Sequence, residues 1–178
     1  MDERVGDIIT FAKSGQYDVL LHGCNCFNTM GSGVAKQLAE EWPEIAVVDR
    51  ATRRGDRSKL GQYSVCWVDR PDYRFLVFNL YTQYYYGKSS EHHFNDNAFW
   101  HALSLVEVYL RHTPPAPWST YPERQTKLSI DNTLRIIFPK IGAGHGGGDW
   151  DKTTKTIQRV LGRHLLTCVR FDSESAGV

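Results

Sequence analysis

The stretch HGCNCFNTMGSGVAKQ (residues 22–37) decides how the chain is read. It holds too little apolar surface to be core, and its small residues let a backbone come close to another group. Before it, YDVLLHG (17–23) is a short apolar run bounded by polar residues, consistent with a buried strand. After it, Ala35, Leu38, Ala39 and Trp42 recur at helical spacing, and Pro43 then interrupts or restarts the helix. Residues 23–32 are thus a strand-to-helix loop rich in Gly and Asn, loop A.

The same order recurs near the other end. LRIIFP (134–139) reads as a buried strand, KIGAGHGGGDW (140–150) as a second Gly-rich loop, loop B, and DWDKTTKTIQRVL (149–161) as a helix. Between them, YSVCWV (63–68) and RFLVFNLYTQ (74–83) are β-branched and aromatic, hence strands. Residues 96–112 place Phe99, Leu103, Val106 and Leu110 on one helical face, with Asp96 or Asn95 as the cap. LLTCVRF (165–171) is the last strand. Residues 113–132 carry four prolines and no period, an irregular insertion. Alternating strands and helices predict one α/β domain over residues 1–178: three layers, α/β/α, around a mixed, largely parallel sheet. Ligands of such sheets sit beyond the carboxyl ends of the strands. Both Gly-rich loops leave carboxyl ends, so they should face one another across one cleft.

Bulk properties exclude several classes. With 41% hydrophobic and 23% charged residues, 178 residues can build a core without staples. The four cysteines fall in no Cys-x-x-Cys pair or zinc-finger spacing and are expected to be reduced, which implies a cytoplasmic setting. No leader-like or membrane-spanning run stands out. A net charge of +1 argues against a broad nucleic-acid surface, and the basic run RATRRGDR (50–57) reads as a solvated face. No metal-ligand spacing is present, so no metal or cofactor is expected; the adjacent histidines of EHHF (91–94) point apart on most backbones. The partner expected is a small molecule, and the chain a monomer.

A loop leading into a helix presents unpaired N–H groups and the positive end of the helix dipole, and glycine lets that backbone approach an anion. Two such loops across a cleft would suit a pyrophosphate flanked by two sugars; taken singly, either could merely be a tight turn. GAGHGG (142–147) formally matches G-x-G-x-x-G, but no second nucleotide-binding half follows it. The Gly-Lys-Ser/Thr of a P-loop is absent, which argues against nucleoside-triphosphate hydrolysis.

These residues resemble the macro domain, an ADP-ribose-binding module. The resemblance rests on GDI (6–8), HGCNC…MGSGVA (22–35) and FPKIGAGHGGGDW (138–150), in that order, and spans roughly residues 5–171. It is strongest to the branch that processes ADP-ribose 1''-phosphate, known from phages, bacteria and yeast. The resemblance implies that Asp7 accepts from the adenine amino group beside the Ile8 backbone, with Phe171 covering the base. Gly31, Ser32, Gly33 and Val34 would cradle the diphosphate, and Gly142, Ala143, Gly144, His145 and Gly146 would cover it. Asn25 and Asn28 would lie near the distal ribose.

Many macro domains bind ADP-ribose without changing it, so activity must be argued from the site. One branch removes ADP-ribose with a lysine and an aspartate; the matching positions here are Gln83 and Gly146, neither of which can do that chemistry. Another needs an aspartate beside Gly-Gly-Val, which GSGVAK (31–36) lacks. The remaining reading is an enzyme, a phosphatase that converts ADP-ribose 1''-phosphate to ADP-ribose. Its candidate catalytic groups are His22, His145 and Asp149. Against each stands a plainer role: His22 as a hydrogen-bonded structural residue, His145 as an exposed loop residue, Asp149 as a helix N-cap. The alternatives are a non-catalytic ADP-ribose reader and a hydrolase of ADP-ribosyl or acyl-ADP-ribose esters.

Overall fold

Strand β2 (Val19–Asn25) is apolar on both faces over its first half, and it lies inside the sheet. Val19 and Leu21 point into one core, Leu20 into the other. The computed structural model describes residues 1–87, 93–112, 133–143 and 147–171. In it, β2 is flanked by β4 (Arg74–Gln83) and β5 (Arg135–Pro139), both parallel to it. Strand β6 (Leu165–Arg170) pairs with β5, and β1 (Asp2–Val5) with β6, again in parallel. Only β3 (Tyr63–Asp69), the edge strand beyond β4, is antiparallel; the order is β1-β6-β5-β2-β4-β3.

Period-two alternation sends half of each central strand to either side. Leu76, Phe78, Ile136 and Phe138 meet α4 (Asp96–His112) and α5 (Trp150–Leu161) through Phe99, Leu103, Ile157 and Leu161. Val77, Phe75 and Ile137 meet α1 (Ile8–Lys13), α2 (Gly33–Glu41) and α3 (Pro43–Arg50) through Ala12, Leu38 and Ile45. Three layers result, as expected. Pro43 restarts a helix: it stands at the first turn of α3, where no N–H is missed. The cap before α4 is Asn95, whose Oδ1 accepts from Ala98 N at 2.9 Å.

Two elements were not read from periodicity. All four residues of β1 are exposed, so it carries no apolar signal, and α1 has only six residues. The Pro-rich 113–132 insertion and His92 of EHHF lie outside the described residues. No helix among the described residues is long and apolar enough to cross a membrane.

The entrances of β2 and β5 are fixed by one ion pair. Asp18, 2% exposed, accepts from Arg135 N (2.8 Å), Nε (2.9 Å) and Nη2 (2.7 Å). Removing the carboxylate strands a backbone donor and a half-buried guanidinium. Asp18→Ala is expected to cost about 3 kcal/mol of unfolding free energy, read from urea denaturation; a loss under about 1 kcal/mol would show that water replaces the carboxylate.

Candidate functional site

Because five strands run parallel, everything that follows them emerges on one edge of the sheet. Asp7 follows β1, Phe171 follows β6, loop B follows β5, loop A follows β2 and Gln83 ends β4. Gly6 N donates to Arg170 O at 3.0 Å, which sets Asp7 and Phe171 side by side. A cleft of about 530 Å³ opens on this edge. Its walls include Asn25, Gly31, Ser32, Gly33 and Val34 from loop A and the start of α2, Thr82 and Gln83 from β4, and Lys140 and Gly142 from loop B. The two Gly-rich loops therefore bound one cavity.

The start of α2 is built to receive an anion. Ser32 stands at the N-cap but makes no side-chain cap bond, and no acidic residue lies in the first turn. The N–H groups of that turn have no intrahelical acceptor and carry the positive end of the helix dipole. A Cβ placed on Gly31 or Gly33 would meet nothing within 4 Å, and Gly33 has φ of +59°. The room around these glycines is the cleft itself.

The glycines that bracket loop B have a different cause. A Cβ on Gly142 or on Gly148 would come within 2.6 or 2.7 Å of the Phe94 ring. Gly148 N donates to Gly142 O at 2.8 Å, so the loop is cinched at its base with Phe94 packed over the closure. Gly142 thus admits an aromatic ring, and only its cleft-facing side is left for a ligand. Ala143 is exposed. Gly144, His145 and Gly146 lie outside the described residues.

Several of the expected site residues hold other partners in the structure. His22 is 1% exposed, and its Nε2 lies 2.6 Å from Asn79 Oδ1. Asn79 Nδ2 donates to Ile45 O (3.0 Å) and Ser64 Oγ (2.9 Å), so the oxygen faces the imidazole and Nε2 must carry the proton. The ring's other nitrogen, Nδ1, lies 3.7 Å from Cys24 Sγ. Burial holds the His22 pKa down to about 4, against the bond to Asn79. This is a fixed neutral group beneath the cleft, not a base open to water. Asp149 is the N-cap of α5, accepting from Asp151 N (2.9 Å) and Lys152 N (3.2 Å), and it does not line the cleft. The carboxylate of Asp7 likewise caps α1, accepting from Ile9 N and Thr10 N. Ile8 is buried in the core beneath it, and Phe171 is 55% exposed. The thiols of Cys24 and Cys26 are pushed up by burial, Cys26 to about 11, so neither is a thiolate.

Asn28 faces away from the expected ribose position. Its backbone is left-handed (φ +57°), and its amide donates to Asp49 O and to Thr52 Oγ1 (3.0 Å) at the end of α3. Its Oδ1 accepts from Lys59 Nζ at 3.1 Å. Lys59 also donates to Cys26 O (3.2 Å), stands 3.8 Å from Asp49 Oδ1 and lies over the Tyr81 ring. Tyr81 OH donates to Asp49 at 2.9 Å and sits 3.0 Å from Ser64 Oγ. Asn25 folds loop A on itself, accepting from Phe27 N (2.8 Å) and donating to Thr29 O (2.7 Å). Sequence reading missed the burial of Lys59 and Asp49, since a lysine next to a basic run gives no sign of being buried.

No family model matches the chain. It is 39% identical over 147 residues to the 17.5 kDa protein of the tk-vs intergenic region of Enterobacteria phage T4, covering 82% of this chain and 80% of that protein. Among solved structures it superposes on the macrodomain of Thermus aquaticus DarG with a TM-score of 0.60 at 18% identity, over 96% of this chain and 97% of that one. Thermosipho africanus DarTG in complex with ADP-ribose gives a TM-score of 0.55 at 16% identity, over 98% of this chain and 42% of that one. The fold is that of the macro domain.

The buried histidine has a pH signature. Its folded pKa lies below the ordinary 6.5, so the unfolded chain takes up a proton first as pH falls. The stability it contributes is present above pH 6.5 and lost as pH drops towards 4, by about 3 kcal/mol in all. His22→Gln should therefore flatten the fall in melting temperature between pH 7 and pH 4.5. Parallel curves for the two proteins would contradict a buried neutral imidazole.

Proposed function

From the premise that this chain belongs to the family of the phage T4 17.5 kDa protein and has the macro-domain fold, we propose that the cleft binds ADP-ribose. The observation that carries this reading is the uncapped, acid-free N-terminus of α2 opening into a cleft with bare glycines on its wall. A diphosphate placed there takes the free N–H groups of the first turn. The sheet edge also has the right reach. From β1 to β4 there are four strand spacings, roughly 19 Å, which suits an extended ligand of two nucleoside-sized ends. The adenine end falls to Asp7 and Phe171; Asp7 Oδ2 accepts from Thr10 N and Oγ1, while Oδ1 accepts only from Ile9 N among the described residues and keeps a lone pair for a further donor. The distal ribose falls between Asn25, Thr82 and Gln83.

The reaction we propose is release of phosphate from ADP-ribose 1''-phosphate. The described residues supply anion-binding groups but commit both His22 and Asp149 elsewhere, so a group that activates water falls to His145 of loop B. ADP-ribose binding without turnover is the second reading, favoured by those same commitments. Both are separated from misfolding by Gly31, which has no positive φ and no neighbour within 4 Å. Gly31→Val should fill only the cleft, leave the melting temperature within about 2 °C, and weaken ADP-ribose binding at least about tenfold by calorimetry. Unchanged affinity would remove the diphosphate from this loop. Phosphate release from ADP-ribose 1''-phosphate by the native protein, lost in His145→Ala, supports the phosphatase; binding with no release leaves the reader.

A further inference from the structure

Two sequence segments that looked unrelated meet at one mouth of the cleft. Residues 50–58 carry Arg50, Arg53, Arg54 and Arg57 against a single carboxylate, Asp56. All four arginines are exposed, and none makes a salt bridge among the described residues. Asp56 Oδ1 accepts from Ser58 N and Oγ, both at 2.8 Å. Against this loop lies an aromatic cluster. Phe27 and Tyr85 stack at 5.2 Å and 18°, with Tyr84 and Tyr86 packed edge-on to Phe27. Tyr85 is 54% exposed and Tyr86 49%. The segments are locked together: Arg57 lies over the Tyr84 ring at 4.4 Å, Tyr84 OH donates to Gly55 O at 2.8 Å, and Arg54 Nε donates to Phe27 O at 3.2 Å.

Exposed tyrosines held in place beside exposed arginines that form no salt bridge among the described residues are what a single nucleic-acid strand requires. Its bases stack on rings without sequence preference, and its phosphates take the arginines. We propose that this surface binds single-stranded nucleic acid. Tyr86 also lines the cleft, so a strand on the platform runs up to the cleft mouth. A second depression of about 470 Å³, lined by Lys36 and Arg50 together with Glu40 and Asp49, shares Thr29 and Gly31 with the cleft. An acidic peptide would use the arginines and leave the rings with no partner. Duplex DNA hides its base faces from them. The proposal does not depend on what the cleft holds.

The test is fluorescence anisotropy with a labelled 12-nucleotide oligothymidine at 50 mM salt, with a 12-bp duplex and polyglutamate as competitors. Saturable binding is expected, displaced by unlabelled oligothymidine and poorly by either competitor. Tyr85→Ala should weaken it about fivefold or more. Arg53→Gln with Arg57→Gln should lower the slope of log affinity against log salt by about 1.4. Melting temperatures of the variants separate lost contacts from lost folding, and if Tyr85→Ala unfolds, the arginine pair carries the test. No binding at 50 mM salt, equal displacement by polyglutamate or duplex, or an unchanged salt slope would each overturn the proposal.

Discussion

The ammonium of Lys59 joins parts of the chain that share no secondary structure. It meets the Asp49 carboxylate at the end of α3, the Tyr81 ring on β4, and the Cys26 carbonyl and Asn28 side chain of loop A. Taking a charge out of water costs several kcal/mol unless it is surrounded by such groups. The favourable arrangement is therefore narrow, and it fixes where loop A can lie. Asn28 completes it by accepting a left-handed backbone, which its amide offsets with bonds to Asp49 O and Thr52. The position of the α2 N-terminus over the cleft follows from this buried knot.

The cleft floor is polar but uncharged. From His22 through Asn79 and Ser64 to Tyr81, each group meets its neighbour through a hydrogen bond or short polar contact, and burial keeps the imidazole and the thiol of Cys24 neutral. Such a floor orients dipoles without offering a free base or nucleophile. It suits recognition of an anion by backbone N–H groups better than proton transfer by the floor itself.

Equal-looking glycines serve unequal ends. Gly31 and Gly33 leave empty space at the cleft wall, whereas Gly142 and Gly148 make room for Phe94. The first pair leaves access to a ligand, and the second pair shapes the loop that faces it.

Periodicity alone determined most of the scaffold: β2, β4, β5, α4 and α5 carry clear apolar patterns, because each buries a face that must alternate or repeat every three to four residues. It also located both Gly-rich loops and the edge on which they open. It could not find β1 or α1, whose signals are too exposed or too short, nor decide between Asn95 and Asp96 as a cap. The residue roles were decided by tertiary structure. Whether His22 is a base or a buried dipole depends on Asn79, 57 residues away, and whether Arg57 stands free in solvent or lies over a ring depends on Tyr84. Local spacing reports which face of an element is apolar; only the packed chain fixes which distant polar groups meet and how much water they keep.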